Sequence, residues 1–136
     1  MKIVNFLTIA LIAISMNLSC TAQANKNEKE ETTVKAETVK VFYFHYTRRC
    51  VTCKAVEDVA KKSVKELYGD DVIFDDFNLD ESKDLEKAEK LGVSGQTLLI
   101  VSGDKKINIT NEGFMNAKTN PKKLKQIIKE KIDSLQ

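Results

Sequence analysis

The sequence predicts an α/β domain built on a mixed four-stranded sheet flanked by helices. Three observations lead there. Runs rich in β-branched and aromatic residues alternate with stretches whose apolar residues recur every three or four positions. The first such run is apolar on both faces, as a central strand requires. The last two runs are separated only by a short turn, which makes them antiparallel neighbours.

The elements follow in chain order. VKVFYFHY, residues 39–46, is the central strand. Val56, Val59, Ala60, Ser63, Val64 and Leu67 then form one apolar stripe on a helix that begins at or beside Cys50 and stops at Gly69. VIFDDFNL, residues 72–79, is a second strand, and Leu85, Ala88 and Leu91 mark a second helix closed by Gly92. TLLIV, residues 97–101, and KINIT, residues 106–110, form a hairpin across Gly103 and Asp104. Asn120 caps a last helix with Pro121 in its first turn and Leu124, Ile127, Ile128, Ile132 and Leu135 on its buried face. The predicted order is βαβ, a helix, then ββα. The first βαβ crossover is right-handed, which puts its helix on one face of the sheet. Phe114 and Met115, after Gly113, are expected to be packing residues.

With 136 residues the chain accommodates one such domain, expected over residues 39–136. The sequence is 42% hydrophobic and 31% charged, with a formal net charge of +2, which are globular values. Lysines and acids alternate without a basic face or a ladder of aromatic and basic residues, so nucleic acid is not an expected partner. No repeat, glycine-rich phosphate loop, HExxH or GxSxG pattern occurs, and no resident cofactor is expected.

The N-terminal residues set the expected location. After Met1 and Lys2, IVNFLTIALIAISM has the length of a signal-peptide core and is too short to cross a bilayer stably. NLSC, residues 17–20, resembles a lipobox with Asn17 in place of the usual leucine; residues 1–19 would be removed and Cys20 would carry the lipid. The competing reading is ordinary secretory cleavage after Ala22-Gln23-Ala24. Residues 20–38, including the mixed-charge stretch NKNEKEETTVKAET, are expected to be a disordered tether. An acylated Cys20 also resolves an odd count. Three cysteines in an exported chain leave one unpaired, and removing Cys20 leaves the pair Cys50 and Cys53.

That pair lies in FHYTRRCVTCKAVE, residues 44–57, where a strand passes into a helix. Unpaired amides and the partial positive charge of a helix N-terminus stabilise a thiolate, and Arg48, Arg49 and Lys54 add cationic charge. Cys50 is the expected nucleophile, and Cys53, one turn on and more sheltered, is the expected resolving thiol. Two further readings remain open: a dithiol that binds a trivalent metalloid or soft metal without turnover, and a non-catalytic adaptor of a membrane complex. Structural zinc lacks a fourth ligand beyond Cys50, Cys53 and His45. His45 has a plainer reading as a residue packed beside the junction.

The element order with CVTCK after the first strand, and the segment DDFNLDESKDLEKAEKLGVSGQTLLIVSGDK, resemble the thioredoxin fold over residues 39–136. The resemblance implies dithiol chemistry at Cys50 and Cys53, and it departs from thioredoxin at four places. Thr97 stands where thioredoxins carry a cis-proline facing the cysteines, so a trans Gln96–Thr97 bond is expected. Arg49 replaces the tryptophan, Val51-Thr52 the Gly-Pro pair, and Tyr43 the buried aspartate of the strand. YFHYTRRCVTCKAVE followed by VSGQTLL is similar to the exported ArsF-type nitrophenyl-compound nitroreductase subunit family, associated with arsenic-resistance gene clusters and thiol-reductant membrane transporters. That similarity implies that Cys50 and Cys53 relay electrons from a membrane dithiol partner to a reductive system outside the cytoplasm. With a lipid on Cys20 the chain is expected to be a membrane-anchored lipoprotein facing the periplasm or cell exterior, and a monomer.

Overall fold

The computed structural model describes residues 37–136; the expected signal sequence, Cys20 and the tether up to residue 36 lie outside the described residues. The elements are β1 (Lys40–His45), α1 (Val51–Tyr68), β2 (Ile73–Asn78), α2 (Ser82–Leu91), β3 (Thr97–Ser102), β4 (Lys105–Asn108), α3 (Thr110–Asn116) and α4 (Pro121–Asp133). They form a mixed four-stranded sheet in the order β2-β1-β3-β4. β1 pairs in parallel with β2, from Lys40 opposite Ile73 to His45 opposite Asn78. It pairs antiparallel with β3, with Tyr43 opposite Leu98 and Phe44 opposite Thr97, and β3 runs antiparallel to β4.

Alternation along β1 and β3 divides the core in two. Val41, Tyr43, Leu98 and Ile100 pack with Val56, Ala60 and Val64 of α1 and Leu124, Ile128 and Ile132 of α4. Phe42, Phe44, Leu99 and Val101 face the opposite way, toward Ala88 and Leu91 of α2. Both faces of the central strands are therefore covered, which explains their unbroken apolar runs. The edge strand β2 is half exposed, and Asp75 and Asp76 on it discourage pairing with another strand. The β3–β4 turn consists of Gly103 and Asp104, with Gly103 at a φ of 55°, a conformation glycine enters without steric cost.

The structure departs from the sequence reading after β4. Pairing ends at Asn108, and Thr110 opens α3 instead of closing a strand. The cause is local: Asn108 Oδ1 accepts hydrogen bonds from the Thr110 backbone N–H at 3.0 Å and from the Thr110 hydroxyl at 2.6 Å. Thr110 Oγ1 in turn accepts from Leu98 N–H at 3.0 Å, so the helix start is tied to β3. The order is therefore βαβαββαα. Phe114 is partly buried against the core as expected, whereas Met115 is 73% exposed and is not a packing residue. Leu85 is likewise exposed, and α2 buries chiefly Ala88.

Candidate active site

The β1–α1 junction is held from below by β2 and the residues after it. Leu79 N–H donates to His45 O at 2.7 Å, and Thr47 N–H donates to Asp80 Oδ2 at 2.8 Å. Thr47 and Asn78 also join through their side chains. The Thr47 backbone bond, followed by its hydroxyl, holds the Asp80 carboxyl below the usual carboxylate range. The loop carrying the cysteines is thus pinned at its first residue, and neither Asp80 nor Asn78 was marked as a site residue by sequence reasoning.

Cys50 is the N-cap of α1, with extended backbone angles. It is exposed, while Cys53 one turn later is 5% exposed, and the two form a disulfide with Cα atoms 5.1 Å apart. The Cys53 backbone N–H donates to Cys50 Sγ at 3.1 Å. A sulfur at the N-cap receives one of the amide donors that a helix start leaves unpaired, and a negative charge there also meets the positive end of the helix dipole. The outer sulfur is accessible to a partner, and the inner one is reachable only through it.

Of the basic residues expected to support Cys50, Arg48 and Lys54 are exposed. Arg49 is half-buried and ion-paired with Glu57, a carboxylate one further turn along α1 that the sequence reading did not connect with the site. His45 is buried. Its Nδ1 lies 3.0 Å from Tyr46 O and its Nε2 3.4 Å from Asp76 Oδ2. Among the described residues, no three His, Cys, Asp or Glu side chains gather as a metal site would need.

Beneath the disulfide, Tyr43 is fully buried and its hydroxyl donates to Cys53 O at 3.0 Å. Burial pushes the phenol up to about 12, against a smaller opposing pull from Arg49. Tyr43 is therefore a neutral donor and not a proton acceptor at physiological pH. Thr97 is buried at the start of β3, with its hydroxyl bonded to Gly95 O at 2.9 Å. The Gln96–Thr97 bond is trans, as expected. Gln96 itself places Oε1 3.6 Å from Cys53 Sγ, hydrogen-bonding range for sulfur, a contact with no signal in the sequence.

An α/β domain with this strand order, helices on both sheet faces and a CxxC disulfide at the N-terminus of the helix after β1 has the thioredoxin fold. Among solved structures it is similar to Trxlp from Edwardsiella tarda EIB202, with 17% identity and a TM-score of 0.51, covering 68% of this chain and 82% of that one. It is also similar to the thioredoxin Mala s 13 of Malassezia sympodialis, with 24% identity and a TM-score of 0.50, covering 70% of this chain and 76% of that one. At these identities the likeness carries the fold. No family model matches the sequence. No curated protein matches it either.

The Tyr43 phenol gives the fold a defined alkaline weakness. An unfolded chain releases the tyrosine proton near 10.0 and the folded one only at about 12, so the unfolded state binds fewer protons in between. Stability contributed by the neutral phenol is complete below pH 10 and is lost as pH rises from 10 to 12. The loss should reach roughly 3 kcal/mol relative to Tyr43→Phe, which has no proton to release. Urea unfolding of both proteins at pH 8 and pH 11.5 measures it, and parallel losses in the two proteins would show that Tyr43 is not the group responsible.

Proposed function

We propose that this chain is a membrane-tethered, extracytoplasmic thiol–disulfide oxidoreductase in which Cys50 attacks and Cys53 resolves. The observation that carries the reading is the pairing of an exposed N-cap sulfur, hydrogen-bonded by a helix-start amide, with a buried sulfur in disulfide contact. The Cys50 thiolate attacks the disulfide of a partner, one partner sulfur leaves, and Cys53 then displaces the other, closing the Cys50–Cys53 disulfide. Electrons re-enter from a membrane dithiol protein, and the reduced pair passes them to a reductive system outside the cytoplasm. The similarity of YFHYTRRCVTCKAVE and VSGQTLL to the ArsF-type subunits supports this placement, as do the lipobox-like NLSC and the tether behind it. A lipid on Cys20 would keep the domain at the membrane where such a donor resides.

Trapping tests the division of labour. Cys53→Ser leaves the attack intact and removes the release step, so the variant should accumulate mixed disulfides through Cys50 with the partner whose disulfide it attacks. Non-reducing gels of cells expressing the full chain, with and without dithiothreitol, resolve these adducts. A variant that gathers none, from a wild-type chain that also fails to cycle between dithiol and disulfide, would remove the oxidoreductase reading. Tight stoichiometric binding of trivalent arsenic by that chain would then favour the dithiol-binding module.

A further inference from the structure

We propose that Gln96 is the positioning residue of the resolving thiol: its side-chain amide receives the Cys53 S–H and aims the sulfur at Cys50. The inference rests on the oxidoreductase reading above and assigns a role within the same site. Cys53 Sγ is almost wholly buried, and among the described residues its one side-chain polar partner besides Cys50 is Gln96 Oε1 at 3.6 Å. In the disulfide that sulfur carries no proton; on reduction it gains one, and the amide oxygen already stands where an acceptor is needed.

The other groups at this end of α1 are engaged elsewhere. From β1, the Tyr43 hydroxyl donates to the Cys53 carbonyl, and His45 is occupied by Tyr46 O and by Asp76 of β2. Arg49, ahead of α1, pairs with Glu57 on it. From α3 the approach is apolar, with Gly113 against Val56. Gln96 is held in register from the chain on its C-terminal side, where the Thr97 hydroxyl binds Gly95 O.

The step balances without a further reactant. With Cys50 in a mixed disulfide, Cys53 Sγ attacks Cys50 Sγ, the bond between Cys50 and the partner sulfur breaks, and the Cys50–Cys53 bond forms. In this step the Cys53 sulfur is oxidised and the partner's sulfur reduced by the same amount; over both attacks the cysteine pair gives two electrons to the partner's disulfide. The partner's sulfur takes the electron pair of the broken bond and the proton shed by Cys53. The amide oxygen accepts the S–H before the attack, and the NH2 of the same amide can donate to the sulfur as its proton leaves, so one side chain holds the attacking sulfur toward Cys50 in both forms and its loss slows resolution.

Reaction of the reduced full chain carrying Cys20→Ser with 5,5'-dithiobis(2-nitrobenzoate) separates the two cysteines. Attack by Cys50 releases one thionitrobenzoate, and resolution by Cys53 releases the second. In this background Gln96→Leu should slow the second release about tenfold, the upper range of one neutral hydrogen bond, and change the first by less than about twofold. Gln96→Glu places a negative charge beside the attacking sulfur and should move the pH midpoint of the second release upward by at least about one pH unit. Equal slowing of both releases by Gln96→Leu, no effect on the second, or an unmoved midpoint in Gln96→Glu would overturn the assignment. A parent chain that releases only one thionitrobenzoate would overturn the oxidoreductase reading along with it, whereas two releases indifferent to Gln96 would overturn the positioning role alone.

Discussion

Cys50→Ser is expected to lower disulfide reduction by on the order of 10³ or more, the scale on which removal of a covalent nucleophile is felt. A serine hydroxyl does not ionise near neutrality and cannot exchange with a disulfide. The fold gives no reason for the variant to fail otherwise. Cys50 is the N-cap of α1, and serine is among the residues that fill an N-cap best, so its Oγ can take the Cys53 N–H that Cys50 Sγ now receives. The disulfide spans only three residues, and loss of so short a closure changes the unfolded state little. The assay is reduction of a peptide disulfide with dithiothreitol as electron source, alongside circular dichroism to follow the helices. Cys53→Ser should still form the first adduct. If Cys50→Ser retained the first attack and Cys53→Ser lost it, the roles of the two sulfurs would be exchanged.

The difference in exposure between the sulfurs, Cys50 outside and Cys53 sheltered, was legible in the sequence, because a central strand followed at once by a helical stripe places CxxC at a helix start. The two-sided core was legible for the same reason: VKVFYFHY and TLLIV are apolar at every position that meets a helix layer, and their register puts Tyr43 beside Leu98. What surrounds the pair was less so. Glu57 and Gln96 are polar residues on a helix and in a loop, indistinguishable in sequence from solvated side chains; their partners, Arg49 and Cys53, are fixed only by tertiary approach. Arg49 was read as bare positive charge because Glu57 lies eight residues away, off the spacing at which helix pairs are recognised. Helix α3 was hidden by its own composition. Asn111, Gly113 and Asn116 are poor helix formers; the Asn108 side chain turns the chain into the helix by taking the Thr110 N–H, and Gly113 lets the helix sit against Val56 and Leu98.

Tyr43 sits beneath the disulfide and within the core, and replacing it with aspartate should be severely destabilising. The ring is fully buried in the larger half of the core, between Val41 and the α1 residues above it. Exchanging a buried aromatic side chain for a small one costs about 3–5 kcal/mol through lost burial and the cavity left behind. A carboxyl in that place also loses solvation when charged, which raises its folded pKa above the ordinary value near 3.9. A group whose proton is held more tightly in the folded state contributes most at low pH, so Tyr43→Asp should be most stable near pH 4 and weaken as pH rises from there. Tyr43→Asn, which leaves much the same cavity without a titrating group, should show no such slope. Urea unfolding of the two variants at pH 4.5 and 7.5 makes the comparison; equal stability and equal slopes would mean that the site solvates a carboxylate after all. The direction matters for the redox pair. With a neutral phenol beneath Cys53, the amide of Gln96 is, among the described residues, the polar side chain within reach of its sulfur besides Cys50.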